Sequence, residues 1–201
     1  MVMKKLLIFA LMVVVLAACK QQTREQIAQK LGEAMIKKVE KNVNQRIGGM
    51  LTGMLENPDS YEPLSTDMAI VMNNMVLYDS QAFVAMRDMR SHISQYRNTF
   101  HGDTTSAAAR AEVEVIANMM WVLVDRLNAI ESRPVEFEAI DAYHQFNVLS
   151  KRGKKVKRGY HFIIHRDNRI TLLCDDEEFN QVQAFADSLL NGKIKIIPDN
   201  G

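Results

Sequence analysis

Two long segments of the chain place apolar residues at the three- and four-residue spacing of an amphipathic helix. The first runs from Ala82 to Phe100 and the second from Ala109 to Ile130. Residues at this spacing lie on one side of a helix, and the connection is short, so an antiparallel helical hairpin is predicted, ending before Pro134. The second segment is apolar on more than one side, and we expect it to be the most buried helix.

A further helix is predicted near the amino terminus. Thr23 and Gln26 fit a capping box, in which each side chain bonds the backbone N–H of the other residue. An apolar residue then recurs at every fourth position among charged residues. The six apolar residues are Ile27, Leu31, Met35, Val39, Val43 and Ile47. This stripe predicts a helix packed on its own domain or, alternatively, a stalk that binds a partner.

Residues 57–66 contain two prolines and several turn formers, and mark the clearest internal boundary. The next segment, residues 68–78, is ambiguous. Met68 and Met72 have helical spacing, whereas residues 75–78 also fit a buried strand. We expect a helix here.

The last third of the chain changes to strand patterns. The predicted strands are residues 137–149, 160–165 and 169–174. Asp167 and Asn168 suit a tight turn between the last two. Four acids at 175–178 open a terminal helix that ends at Gly192. We therefore expect an α+β fold, with the N-terminal amphipathic helix and the helical hairpin packed on one face of a small C-terminal antiparallel sheet of three or four strands.

The first residues have the layout of a bacterial secretory signal. Lys4 and Lys5 precede thirteen uncharged residues, 6–18. A transmembrane helix needs about 20 apolar residues, so this run is too short to span a membrane. Its end, Leu16-Ala17-Ala18-Cys19, resembles the lipobox of bacterial lipoproteins.

That resemblance implies cleavage after Ala18, lipidation of Cys19 on sulfur, and acyl chains such as palmitate that tether the mature protein. The alternative is an ordinary secretory signal that leaves Cys19 unmodified. In the lipoprotein family Asp after the cysteine is associated with inner-membrane retention; here Lys20 favours the outer membrane. Uncharged residues 21–23 favour its periplasmic side.

The chain therefore divides into a signal peptide at 1–18, an N-terminal helix or stalk at 19–56, and an α+β domain at 57–201, helical to about residue 132. The string NPDSYEPLS at 57–65 resembles a segment of small exported proteins of Bacteroidota. This second resemblance implies a lineage and no activity.

Charge argues against nucleic acid as a partner. The chain has 25 basic and 24 acidic residues, and loss of Lys4 and Lys5 with the signal leaves a net charge of −1. Nucleic-acid binding draws on an excess of clustered basic residues. The two cysteines, Cys19 and Cys174, leave no intramolecular disulfide if Cys19 carries lipid.

One basic cluster departs from this neutral background, and we expect it to form an exposed hairpin loop. Its members are Lys151, Arg152, Lys154, Lys155, Lys157 and Arg158. The cluster is a candidate site for anionic lipid, glycolipid or polymer. Two other interpretations are a solvated loop and a loop folded back on the acids at 175–178.

Catalytic motifs are absent from the sequence, including GxSxG, HExxH and the phosphate-binding GxxxxGK[ST], and no cofactor is implied. His161 and His165 share a face of one predicted strand but lie ~13 Å apart, so a common zinc is not expected. His144, with Asp141 or Asp167 nearby, is a possible cross-strand partner for either histidine.

Three classes of function remain. The first, which we favour, is a lipid-anchored accessory protein that binds an envelope protein through the N-terminal helix or the methionine-rich hairpin. An exposed apolar patch would support it. The second is a tethered module that binds an anionic polymer through the basic cluster. The third is an enzyme with an unfamiliar site, which a concave pocket joining a histidine to acids would support.

Overall fold

The structure, a computed structural model, describes residues 22–101, 103 and 105–192. Five α-helices and a four-stranded antiparallel sheet within these residues confirm the α+β class. The helices are α1 (Arg24–Val39), α2 (Val43–Thr52), α3 (Ser80–Phe100), α4 (Ala107–Glu131) and α5 (Asp176–Leu190). The strands are β1 (Glu62–Met72), β2 (Phe137–Leu149), β3 (Lys155–His165) and β4 (Ile170–Asp175). The predicted signal peptide and Cys19 lie outside the described residues.

None of the described helices is long and apolar enough to cross a membrane.

The first helix begins at the predicted capping box, which Thr23 and Gln26 form in both directions. The prediction of a single apolar stripe is wrong. A turn at residues 40–42 separates α1 from α2, and the side chains of Ile27 and Leu31 are exposed. A helix has 3.6 residues per turn, so each four-residue step drifts about 40° around its axis. Five such steps, which join the six residues, cannot stay on one face.

The prediction of a helix at residues 68–78 is also wrong. Residues 62–72 form the edge strand β1, which pairs antiparallel with β2, and a single 3₁₀ turn follows at Val76–Tyr78. A spacing of four fits both periods, because it is two strand repeats as well as about one helical turn. Met68 and Met72 therefore share a strand face with Ile70, and all three pack on the core of that face.

The sheet has the order β1-β2-β3-β4, so it is not purely C-terminal: the α3–α4 hairpin lies between β1 and β2 in the chain. The predicted turn after β3 is confirmed, since Asn168 adopts a left-handed φ of 66°. Strand β3 begins at Lys155, five residues earlier than predicted.

Helices cover both faces of the sheet, which corrects the expectation of one covered face. Helices α1 and α2 pack over Ile140, Phe146 and Phe162, whereas α3, α4 and α5 share a separate core with Cys174. Alternate residues of a strand point to opposite faces, and from residue 140 to residue 148 β2 supplies apolar residues to the first core at even positions.

The hairpin helices α3 and α4 form as predicted, but α4 is not the most buried helix. It packs on α3 and, to a smaller extent, on α5. Its residues Val115, Met119, Trp121 and Val122 are exposed. A helix that is apolar on more than one side thus buries one of these sides and leaves another exposed.

Candidate functional site

A groove runs along α1, between this helix and the segment that leads into β2. Its volume is about 720 Å³. Buried residues Ala28, Met35 and Phe137 contribute to its wall. Ile27 and Leu31 also line it, with 46% and 54% of their surfaces exposed. The groove is therefore an apolar, solvent-facing concavity of the size that binding sites commonly have.

The charged residues that line this groove are mostly basic: Arg24, Lys38 and Arg166 against Glu136. The Arg166 guanidinium donates a hydrogen bond to the Phe137 carbonyl oxygen, and its central carbon lies 5.8 Å from the centroid of the Phe137 ring. The guanidinium also pairs with Glu138 at 3.4 Å. These contacts fix one cation beside the groove, with part of its charge already balanced by Glu138. A ligand with an apolar face and acidic edges would match this lining.

The groove lies close in sequence to the predicted lipidation site. Arg24 opens α1 and lines the groove only five residues after Cys19. Five residues span at most about 18 Å even when fully extended. A lipid on Cys19 would therefore hold this end of α1 near the bilayer surface.

The basic cluster is divided between a tight turn and a strand. Lys151, Arg152 and Lys154 lie in the β2–β3 connection, whereas Lys155, Lys157 and Arg158 belong to β3, so the expectation of a single exposed loop is wrong. All six residues are exposed.

Two members of the cluster have acidic partners. Lys151 pairs with Glu56 at 2.8 Å and Lys155 with Glu62 at 2.5 Å, and the hydrogen bond from Lys155 lowers the pKa of Glu62. Glu56 precedes β1 and Glu62 is its first residue, so neither partner belongs to the acids at 175–178. The cluster thus carries less net positive charge than its sequence indicates.

A buried carboxylate and a buried imidazole meet a half-buried phenol between the sheet and α5. The Tyr78 hydroxyl donates to Asp141 Oδ2 at 2.9 Å, and His161 Nδ1 lies 3.0 Å from the same oxygen. Burial and the Asp141 carboxylate raise the pKa of Tyr78, so the phenol stays protonated. The His161 ring stacks on Phe179, with centroids 3.9 Å apart. Sequence reasoning named Asp141 and His161 but not Tyr78, whose role depends on the turn after β1.

This cluster does not open into the groove or into three smaller surface cavities, whose linings contain no histidine. His161 Nε2 faces Asp176 of α5 at 3.8 Å. Cys174 lies opposite His161 in the β3–β4 register, and burial together with nearby acids raises the pKa of its thiol to about 12. A thiol with so high a pKa is a poor nucleophile at neutral pH.

His144 lies on the other face of the sheet and cannot join His161. Its Nε2 is 2.8 Å from the Tyr61 hydroxyl and its Nδ1 is 2.7 Å from Thr66 Oγ1, which in turn bonds Asn44. Both ring nitrogens therefore have partners inside the protein. Burial lowers the pKa of His144, which keeps the imidazole neutral.

His165 bonds Thr171 within its own hairpin, with 2.9 Å between Nε2 and Oγ1. In the part of the chain that the structure describes, no three His, Cys, Asp or Glu side chains are grouped to hold a metal ion.

The exposed apolar residues of α4 form a second candidate surface. Val115, Met119 and Val122 expose 48%, 43% and 71% of their surfaces. Trp121 points to a different side of the helix and lines a small cavity with Leu189 of α5. The sequence shows the wide apolar face of this helix but predicts that it belongs to the core.

Comparison of the chain with protein-family models, with curated proteins and with solved structures found no match. Its function is therefore argued from its own residues.

Proposed function

We propose that this chain is a lipid-anchored protein of the bacterial cell envelope that binds another envelope protein and is not a catalyst. Lipid on Cys19 would tether it to the outer membrane on the periplasmic side. The observation that carries the binding role is the apolar groove along α1, with Ile27 and Leu31 exposed beside it. Exposed apolar concavities of this kind commonly mark interaction sites.

The occupant we propose is an amphipathic segment of an envelope protein, with an apolar face and acidic residues at its edges. The apolar face would cover Ile27 and Leu31, and the acids would face Lys38 and Arg166. A helix laid into a groove is a recurring mode of peptide recognition. Charge complementarity at the edges would orient the segment and speed its association.

The shape of the groove favours a protein segment over the lipid surface itself. A bilayer presents a broad interface, and a helix that lies on it buries its apolar face directly. Ala28 and Met35 face the sheet, and the apolar residues beside them line a concavity. A protruding segment fills such a concavity better than a flat surface does.

The test places a photo-reactive residue at Leu31 of the full chain in intact cells, with Glu33 as the matched position on the other side of α1. We expect cross-linking at position 31 to one envelope protein, through a segment with apolar and acidic residues, and none at position 33. Lys38→Glu should reduce the yield several-fold because it opposes the acids of the partner. Cys19→Ala should also reduce it.

Three results would overturn the proposal. Cross-links to lipid alone would make the groove a membrane contact. Equal cross-linking from positions 31 and 33 would mean that the groove is not the site. A yield that Lys38→Glu leaves unchanged would contradict the acidic edges of the occupant.

A further inference from the structure

The exposed side of α4 carries a continuous line of apolar residues. They lie three, four or seven residues apart along the helix, which places them on one side of it. The line consists of Ala108, Ala111, Val115, Met119, Val122 and Ala129, all exposed. We call it the α4 stripe.

The stripe lies beside the α3–α4 contact and not within it. Ile116, Leu123 and Leu127 are the buried residues of α4 and point elsewhere. On the α3 side, Glu112 pairs with His92 at 2.7 Å and Arg126 reaches Gln81. Among the described residues, no element covers Val122, the most exposed member of the stripe.

Two pairs of residues in the stripe match in size in both directions along the helix, whereas Ala111 has no counterpart within the stripe. Helix α4 runs from Ala107 to Glu131, so its middle is near Met119. Val115 and Val122 flank this middle, and Ala108 and Ala129 lie near the two ends. A two-fold interface requires such a self-complementary surface. We propose that the α4 stripe packs against the α4 stripe of a second copy of this chain, antiparallel, with the two-fold axis near Met119.

Charge selects the antiparallel direction. Glu112 lies seven residues before Met119 and Arg126 seven residues after it, so all three follow one line along the helix. Antiparallel packing brings Glu112 of each copy, which bonds His92 of its own chain, toward Arg126 of the other, which lies 3.7 Å from Asp79 of its own chain. Each end of the interface would thus give both groups a second partner of opposite charge. Parallel packing would oppose Glu112 to Glu112 and Arg126 to Arg126, which is repulsive.

The size of the stripe suits a helix pair. A helix of 25 residues is about 37 Å long. Alanine near both ends lets the axes approach toward the lower limit of the usual 8–10 Å. Because α1 lies on the opposite face of the sheet from α3 and α5, such a dimer leaves the α1 groove open. The dimer is therefore independent of the proposed function.

The test uses cysteine cross-linking in the full chain with Cys19→Ala, where the remaining Cys174 is buried. Ala108→Cys and Ala129→Cys chains carry different tags and are treated with a bifunctional thiol reagent, alone and mixed. These positions are about 31 Å apart along one helix. We expect cross-linked dimers between the two variants in the mixture and few from either alone. Dimers from each variant alone would indicate parallel packing. That result, or the absence of any dimer, would overturn the proposal.

A second measurement tests the dimer without a cross-linking reagent. Sedimentation should show a dimer for the native chain. Val122→Glu should raise the dissociation constant of the dimer more than about tenfold, which corresponds to about 1.4 kcal/mol. Leu64→Glu places the same charge at an exposed apolar site on β1 and should leave the dimer intact. A native chain that stays monomeric at its solubility limit, or equal effects of the two variants, would overturn the proposal.

Discussion

The histidines of the sheet show how far a single residue can be interpreted from its position. His144 and His161 were considered as possible partners because the sequence places them on neighbouring strands. The register pairs His161 with Tyr143, so the side chain of His144 points to the opposite face. A shift of one residue decides which face a side chain occupies. Strand spacing alone could not provide the register, which depends on the full β2–β3 pairing.

His144 carries a prediction at this scale. Burial lowers its pKa, whereas the unfolded chain takes up a proton near the ordinary value of about 6.5. Below that pH the unfolded state binds more protons than the folded state, so stability falls on acidification until the folded imidazole also protonates. Urea unfolding of the native chain should therefore lose free energy between pH 7.5 and 5.5. His144→Gln should lose less, and an equal loss in both chains would contradict this origin.

At the scale of elements, local signals predicted helix starts and turns well. The capping box at Thr23 and the turn at Asn168 depend on neighbouring residues alone, and both are present. Strand β1 was missed because its partner β2 lies about 75 residues later in the chain. The exposure of α4 was missed because no local pattern distinguishes a core side from an interface side.

The close packing of α1 on the sheet at Gly32 gives a prediction about stability. A Cβ at Gly32 would lie 2.6 Å from the Ile70 side chain. Gly32→Ala should therefore destabilise the protein by about 1–3 kcal/mol through overpacking, although alanine favours a helix by about 1 kcal/mol. Urea unfolding measures the change.

Two variants complete this test. A Cβ at Gly49 in α2 would meet nothing within 4 Å, so Gly49→Ala should leave stability equal or higher. Combining Gly32→Ala with Ile70→Ala should cost less than the sum of the two single changes, because the clash disappears. If the two changes in the free energy of unfolding were strictly additive, contact with Ile70 would not be the reason why Gly32→Ala destabilises the protein.

At the scale of the whole molecule, the two candidate surfaces lie on opposite sides of the sheet. The α1 groove belongs to the layer formed by α1 and α2, and the α4 stripe to the layer formed by α3, α4 and α5. The groove could not be predicted from sequence, since Leu31, Phe137 and Arg166 meet only through the tertiary fold. An anchored dimer would present two grooves at the membrane, which increases avidity for a partner in the same membrane.

The proposed location of the protein depends on lipid attached to Cys19. The most direct measurement is mass spectrometry of the full chain recovered from the membrane fraction of cells that produce it. We expect a mature chain that begins at Cys19 and carries a diacylglyceryl group on sulfur and an acyl chain on the amino terminus. A chain recovered in the soluble fraction, with a different amino terminus or an unmodified Cys19, would contradict it.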